Sequence, residues 1–258
     1  MSILGTFELG KGNFYPAAVI FIVGAAELGN WIGRRYRGPS SQGADIGTLT
    51  AAALGLLALL LAFSFSIALS RFDARCKMVL EEANAIGSTA NFALMLPEAA
   101  QGPVLALLRD YAAVRVRLGV SADRSDMERE IAQSLDIQGK LWRQAVAVSA
   151  AAPQSLPVDR FVASLNEMNN IHEKRLTALR YPVPVAVMAM LICVAMVAMG
   201  FTGYNSGVVG AKRRVPDLIM SLTVAVLIML VFDLDRPTHG LIRVPAQPLI
   251  DAAQGISR

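Results

Sequence analysis

The sequence predicts an all-α integral membrane protein: four transmembrane helices, with a helical aqueous domain between the second and third. Three observations carry this prediction. The chain of 258 residues is 54% hydrophobic and only 17% charged, with a mean hydropathy of +0.48. Its charges are missing from whole blocks, the longest running from Arg180 to Lys212 without an Asp, Glu, Lys or Arg between them. The 110 residues 71–180, by contrast, hold fourteen Lys and Arg and thirteen Asp and Glu, the composition of a near-neutral, water-facing segment. Such apolar content excludes a disordered chain. A soluble domain of this size would also carry a charged shell throughout, not charge in blocks.

A hydrocarbon core about 30 Å thick takes roughly 20 helical residues. The first segment to meet this is 14–33, FYPAAVIFIVGAAELGNWIG, which contains Glu27. The second, 46–70, is uncharged throughout. The third, about 183–204, is entered through Pro182 and Pro184. The fourth, about 215–232, is the shortest, since fifteen residues separate Asp217 from Asp233. It spans if its ends reach the interface or the bilayer thins. The expected organisation is therefore 1–70 (tail and helices 1 and 2), 71–180 (helical aqueous domain), 181–233 (helices 3 and 4) and 234–258 (C-terminal tail). Residues 1–12 carry Glu8 and Lys11 but no basic run or A-x-A site, so no cleaved leader is expected.

Helical periodicity orders the aqueous segment. Phe72, Cys76, Val79, Ala83, Ile86, Ala90 and Ala93 recur in steps of three and four, a stripe that Pro97 ends. Span two runs past Ser70 into this stripe without a Gly or Pro. Leu107, Leu108, Tyr111 and Val114 predict a second helix, stopped near Gly119. Ser125 to Glu128 reads as a capping box, followed by Met127, Ile131, Leu135 and Leu141 or Trp142. Phe161, Leu165, Met168, His172, Leu176 and Leu179 form a fourth stripe leading to span three, with a kink expected at Pro182 and Pro184.

Chemistry-bearing motifs are scarce. Gly5 to Lys11 has phosphate-loop spacing, but Gly12 stands where a hydroxyl should hold magnesium, and no strand precedes it. His172 on an apolar stripe reads as a packed histidine, and His239 stands alone. Cys76 and Cys193 make no disulfide framework. No nucleophile–base pair can be read from spacing, so no enzyme, cofactor or metal is expected. A net charge of +4 is too diffuse for nucleic acid. The short loops carry Arg34, Arg35, Arg37, Lys212, Arg213 and Arg214, against nine basic residues flanking the spans on the other side. Charge counting therefore leaves orientation open.

Two stretches carry a family resemblance. Span two ends Phe63-Ser-Phe-Ser-Ile-Ala-Leu-Ser70-Arg71-Phe72, similar to the end of the bestrophin pore helix, whose neck phenylalanine stands eight residues before an Arg. After span four, Asp233-Leu-Asp235-Arg236-Pro237, Gly240 and then Pro248-Leu249 resemble the acidic–x–acidic–x–Pro stretch of bacterial bestrophins. With Glu82-Ala83-Asn84-Ala85-Ile86-Gly87, the chain over about 45–250 looks closest to a bacterial bestrophin-like family. The resemblance implies a homo-oligomer, a pentamer, in a bacterial inner membrane, with the aqueous domain and both termini cytoplasmic. It implies partners limited to itself, the bilayer and small monovalent ions. It also implies a pore neck narrow at Phe63, with Leu59 one turn earlier and an opening at Gly55.

The residues support a pore reading independently. Phe63, Ser66 and Ser70 share one helical stripe, beside Leu59 and Ile67. A ring of apolar side chains gates by dewetting, and adjacent hydroxyls hydrate a passing ion. The rival reading turns Phe63 towards lipid or a neighbouring helix and bonds the serines to their own backbone. Arg71 and Arg75 are candidate exit charges that would raise local anion concentration, or they snorkel to headgroups. Glu27 is an intramembrane acid of the kind that marks function, or, the preferred reading, one about two turns from Arg34 that is partly exposed or paired. Asp233 and Asp235 either attract cations or, the preferred reading, pair with Arg236, Arg71 or Arg75 as a structural clasp. The expected function is an ion channel favouring anions such as chloride. Its alternatives are a monovalent cation channel of the same build, or a non-conducting scaffold or sensor whose helical domain binds a partner.

Overall fold

The computed structural model describes residues 14–36, 42–120, 124–180, 185–210, 214–235 and 242–256. Among these residues all regular structure is helical: α1 (Phe14–Arg35), α2 (Gln42–Ala93), α3 (Glu98–Val120), α4 (Arg124–Ala151), α5 (Leu156–Arg180), α6 (Val185–Val209), α7 (Arg214–Asp235) and α8 (Gln247–Ile256). α1, α2, α6 and α7 each contain a stretch long and apolar enough to cross a membrane. α7 reaches 22 residues, so the shortest expected span has full length. α2 runs for 52 residues, unbroken past Ser70. The expected kink at Pro182 and Pro184 lies outside the described residues.

The chain divides into two compact units, 1–69 with 183–235, and 70–182 with 236–258. The first unit is built from the apolar helices. Its core joins Ile22 and Ala26 to Leu57, Leu191, Ala195, Ala198, Met199, Ala225 and Ile228. Lipid tails give packed apolar helices no hydrophobic drive, so close backbone approach through small residues must hold them. α1 supplies Gly29 and Gly33, and α6 supplies Gly203 and Gly207, each pair one turn apart. A Cβ at Gly29 would collide with the Gly200 carbonyl, and one at Gly203 with the Ala26 carbonyl. Thr50 on α2 donates to the Ile46 carbonyl at 2.8 Å and reaches the Phe201 carbonyl of α6 at 3.4 Å.

Gly203→Ala is therefore expected to destabilise this unit by about 1–3 kcal/mol, the usual range for overpacking, because the clash is with backbone and cannot be relieved by a rotamer. Thermal melting in detergent checks this, with Gly24→Ala as the control. A Cβ at Gly24 meets nothing within 4 Å.

The second unit is a helical core of Val79, Ile86, Leu108, Tyr111, Leu141, Phe161, Leu165 and Met168, closed by Leu249 of α8. Every described position of the predicted α5 stripe is buried: Phe161, Leu165, Met168, His172 and Leu176. Leu179 lies outside the described side chains. α2 ends where expected, with Met95 and Leu96 donating to the Phe92 and Ala93 carbonyls ahead of Pro97. α4 departs from its predicted stripe. Leu135 and Trp142 are exposed, while Ser134, Ile137, Gln138, Leu141, Ala145 and Val148 are buried. The buried face includes two polar positions because both are satisfied: Ser134 donates to the Glu130 carbonyl and Gln138 to the Tyr111 hydroxyl. Ser125 falls inside α4, one residue past its first, a shift within the normal scatter of helix boundaries. The segment read as a C-terminal tail contains α8, anchored by buried Leu249 and Ile256, and Arg109 caps its final carbonyl at 2.9 Å.

Candidate functional site

Helical phase divides α2 into two faces. Thr50, Leu57, Ser64 and Ala68 are buried within the subunit, and Arg75, Val79, Glu82, Ile86, Thr89 and Ala93 continue the same face in steps of three, four or seven. Gly55, Leu59, Phe63, Ser66 and Ser70 occupy the opposite face, and all five are exposed. Phe63 is 60% exposed and Leu59 53%. Nothing lies within 4 Å of where a Gly55 Cβ would stand. The five residues thus share one side of α2, within a broader exposed surface that also takes in Leu56, Phe65, Ile67 and Leu69 among the described residues.

Of the two expected exit arginines, only Arg75 is turned away from that face. Arg71 is half-buried and makes polar contacts. Arg75 is 9% exposed and lies in phase with Leu57 and Ser64, opposite Ser66 and Ser70. The physical reason is periodicity: nine residues from Ser66 amount to two and a half turns. Asp233 and Asp235 are buried at the end of α7, and each makes polar or electrostatic contacts. Arg236 and Pro237 lie outside the described residues. Glu27 is exposed, and with Asn30, Asp217 and Ser221 it lines a small pocket. That pocket holds about 10 Å³, room for no more than a single water, so it is not a substrate cavity.

The second unit contains a buried polar cluster that the sequence reading did not assemble. Glu82 of α2 accepts from Arg115 Nε of α3 at 2.5 Å and from Arg175 Nη1 of α5 in a close ion pair. The Tyr111 hydroxyl lies 3.3 Å from Glu82 Oε1 and 3.0 Å from His172 Nδ1, and it accepts from Gln138 Nε2 at 3.3 Å. Glu82, Tyr111, Arg115 and His172 are fully buried. Burial alone would raise the Glu82 carboxyl, but the two guanidinium groups outweigh it and hold it below its ordinary value. Burial, reinforced by Arg115, pushes His172 down to about 4, so it is neutral at pH 7. Burial and the Glu82 charge push the Tyr111 hydroxyl up.

Three helices, α2, α3 and α5, therefore meet at one carboxylate, and α4 joins them through Gln138 and the Tyr111 hydroxyl. The signal in the sequence was charge in phase with an apolar stripe. Glu82 lies one turn before Ile86, Arg115 one turn after Tyr111, and Arg175 one turn after His172. A cluster of this kind fixes the mutual register of its helices, because each member loses its partners if one helix slides.

Comparison with known proteins agrees with this architecture. A sequence model described as the Bestrophin-like domain matches residues 20–249. No curated protein matches the chain. Among solved structures, the chain is similar to a bacterial bestrophin homologue from Klebsiella pneumoniae, at 16% identity and a TM-score of 0.69, covering 92% of this chain and 97% of that one. A single-residue variant of that protein gives 15% identity and a TM-score of 0.71, covering 94% and 97%. At such identity the likeness speaks for the fold, and the family match over most of the chain decides membership. The chain is a membrane protein of the bestrophin-like family.

Proposed function

We propose that the chain is the subunit of a homo-oligomeric ion channel, a pentamer, whose pore is lined by the membrane half of α2. The observation that carries this reading is the uncovered face of that helix. Gly55, Leu59, Phe63, Ser66 and Ser70 lie together on it, while the opposite face packs into the subunit. Repeated about an axis, the face sets a ring of phenylalanines at 63, a second apolar ring at 59 and an open girth at 55. Below the apolar rings, the hydroxyls of Ser66 and Ser70 replace part of an ion's hydration shell. Membership of the bestrophin-like family and the fold of the Klebsiella pneumoniae bestrophin homologue support the same reading.

An apolar neck fixes no sign of charge. We propose small anions, chloride among them, on the strength of the basic loops at 34–37 and 212–214. Arg71 remains a candidate exit charge, whereas Arg75 is turned inward. The bacterial inner membrane, with 71–180 on the cytoplasmic side, completes the proposal.

Cysteine substitution tests the lining. In a Cys76→Ser, Cys193→Ser background, Ser66→Cys and Ser70→Cys are expected to lose most of their current on treatment with a charged thiol reagent. Leu57→Cys, on the buried face, is expected to be unaffected. Equal insensitivity of all three would remove α2 from the pore.

A further inference from the structure

We propose that the helical unit holds a small monatomic anion, of the size of chloride or bromide, in a pocket between Arg75 and Arg175. The site is separate from the proposed pore face. The pocket is lined by Arg75, Met78 and Val79 of α2, Leu118 and Gly119 of α3, Arg175 and Ala178 of α5, and the 244–246 segment. Apart from the two arginines its lining side chains are apolar, and none is acidic. Its accessible space is about 30 Å³, room for one chloride-sized ion or a couple of waters. Both arginines are more than nine-tenths buried, Arg75 at 9% and Arg175 at 7% exposed.

Charge balance supplies the second argument, and it does not depend on Arg75, which has polar contacts of its own. Arg115 and Arg175 share the single carboxylate of Glu82. His172 adds no charge at pH 7, and Tyr111 is a neutral phenol. Within this cluster two positive groups face one negative, an excess of one formal positive charge. Arg115 Nη1 and Nη2 are buried and find no hydrogen-bond partner among the described residues. A buried cation in this condition is costly, and a counter-ion beside it relieves the cost. Arg175 belongs both to this cluster and to the pocket wall, so an anion in the pocket faces the excess charge through it. Glu82, which pairs with Arg175 behind that wall, is neutralised by Arg115 and Arg175 together.

Gly119 provides a test that leaves every arginine in place. A Cβ there would stand 3.5 Å from the Ala246 Cβ and 3.7 Å from Arg175 Nη2, both lining groups, in ordinary contact. Gly119→Ala is therefore tolerated, whereas Gly119→Leu fills the pocket. Full-length crystals grown in sodium bromide are expected to show an anomalous bromine peak between the two guanidinium groups. The peak is expected to persist in Gly119→Ala and vanish in Gly119→Leu. In parallel, the melting temperature in detergent at constant ionic strength is expected to rise by a few degrees when gluconate is replaced by chloride. Gly119→Leu should lose that rise. Water density without a bromine peak in an ordered wild-type pocket would overturn the proposal, as would a chloride-dependent rise unchanged in Gly119→Leu. Neither readout requires conduction, so failure of the channel reading leaves this test intact.

Discussion

Glu82→Ala is expected to destabilise the helical unit by about 3–5 kcal/mol, the usual cost of removing one partner from a buried ion pair. Two buried guanidinium groups would then lose the carboxylate that joins them, and the Tyr111 hydroxyl would lose a partner. The loss is a large part of the stability of any domain this size. Removing the whole cluster should cost far less than removing its centre. Glu82→Met combined with Arg115→Met and Arg175→Met replaces charge by apolar volume, a change that other buried triads tolerate. Urea unfolding followed through Trp142 reads the difference, with Trp31→Phe silencing the other tryptophan. If Glu82→Ala melts like the parent, the cluster is not what holds α2, α3 and α5 in register.

Acidification is expected to weaken the same unit before Glu82 takes up a proton. His172 falls from an ordinary value of 6.5 to about 4 in the folded chain. The unfolded chain therefore takes up a proton below pH 6.5 that the folded chain refuses. Stability from this group is complete above pH 6.5 and is lost as pH falls towards 4, at most about 3 kcal/mol for the full shift. Glu82 acts in the same direction but in a lower window, since its folded value lies below its ordinary 4.5. The upper interval, from pH 6.5 down to about 5.5, is therefore governed by His172 rather than Glu82. Every group facing it in the cluster is accounted for: Glu82 from α2, Tyr111 and Arg115 from α3, Gln138 from α4 and Arg175 from α5. His172→Gln keeps a polar partner for Tyr111 and should flatten the slope in that interval. An undiminished slope in His172→Gln would contradict the assignment.

Much of the fold was legible because membrane spans and amphipathic stripes are written in long, repeated patterns. The four apolar spans, the unbroken passage of α2 through Ser70 and the α5 stripe from Phe161 to Leu176 follow from hydropathy and period alone. What escaped notice depended on partners distant in sequence. Ser134 and Gln138 are polar, and only the Glu130 carbonyl and Tyr111 make them fit for a core. Ten residues with two apolar anchors are too few for α8 to announce itself. Glu82 was noticed as part of a family pattern, but Arg115 and Arg175 lie 33 and 93 residues away, and nothing local pairs them. Arg75 was assigned by its proximity to the membrane end of α2, whereas its helical phase places it inward. The glycines of α1 and α6 were part of the spans, but their mutual contact is a tertiary fact.

The central claim is that the uncovered face of α2 lines a conducting path narrowed at Phe63. The measurement that tests it most directly is the reversal potential of purified protein in a planar bilayer under a tenfold KCl gradient, with Phe63→Ala in parallel. The account predicts a current reversing on the anion side of zero and a larger conductance in Phe63→Ala. Silence from both proteins, with insertion and oligomerisation verified, would contradict it.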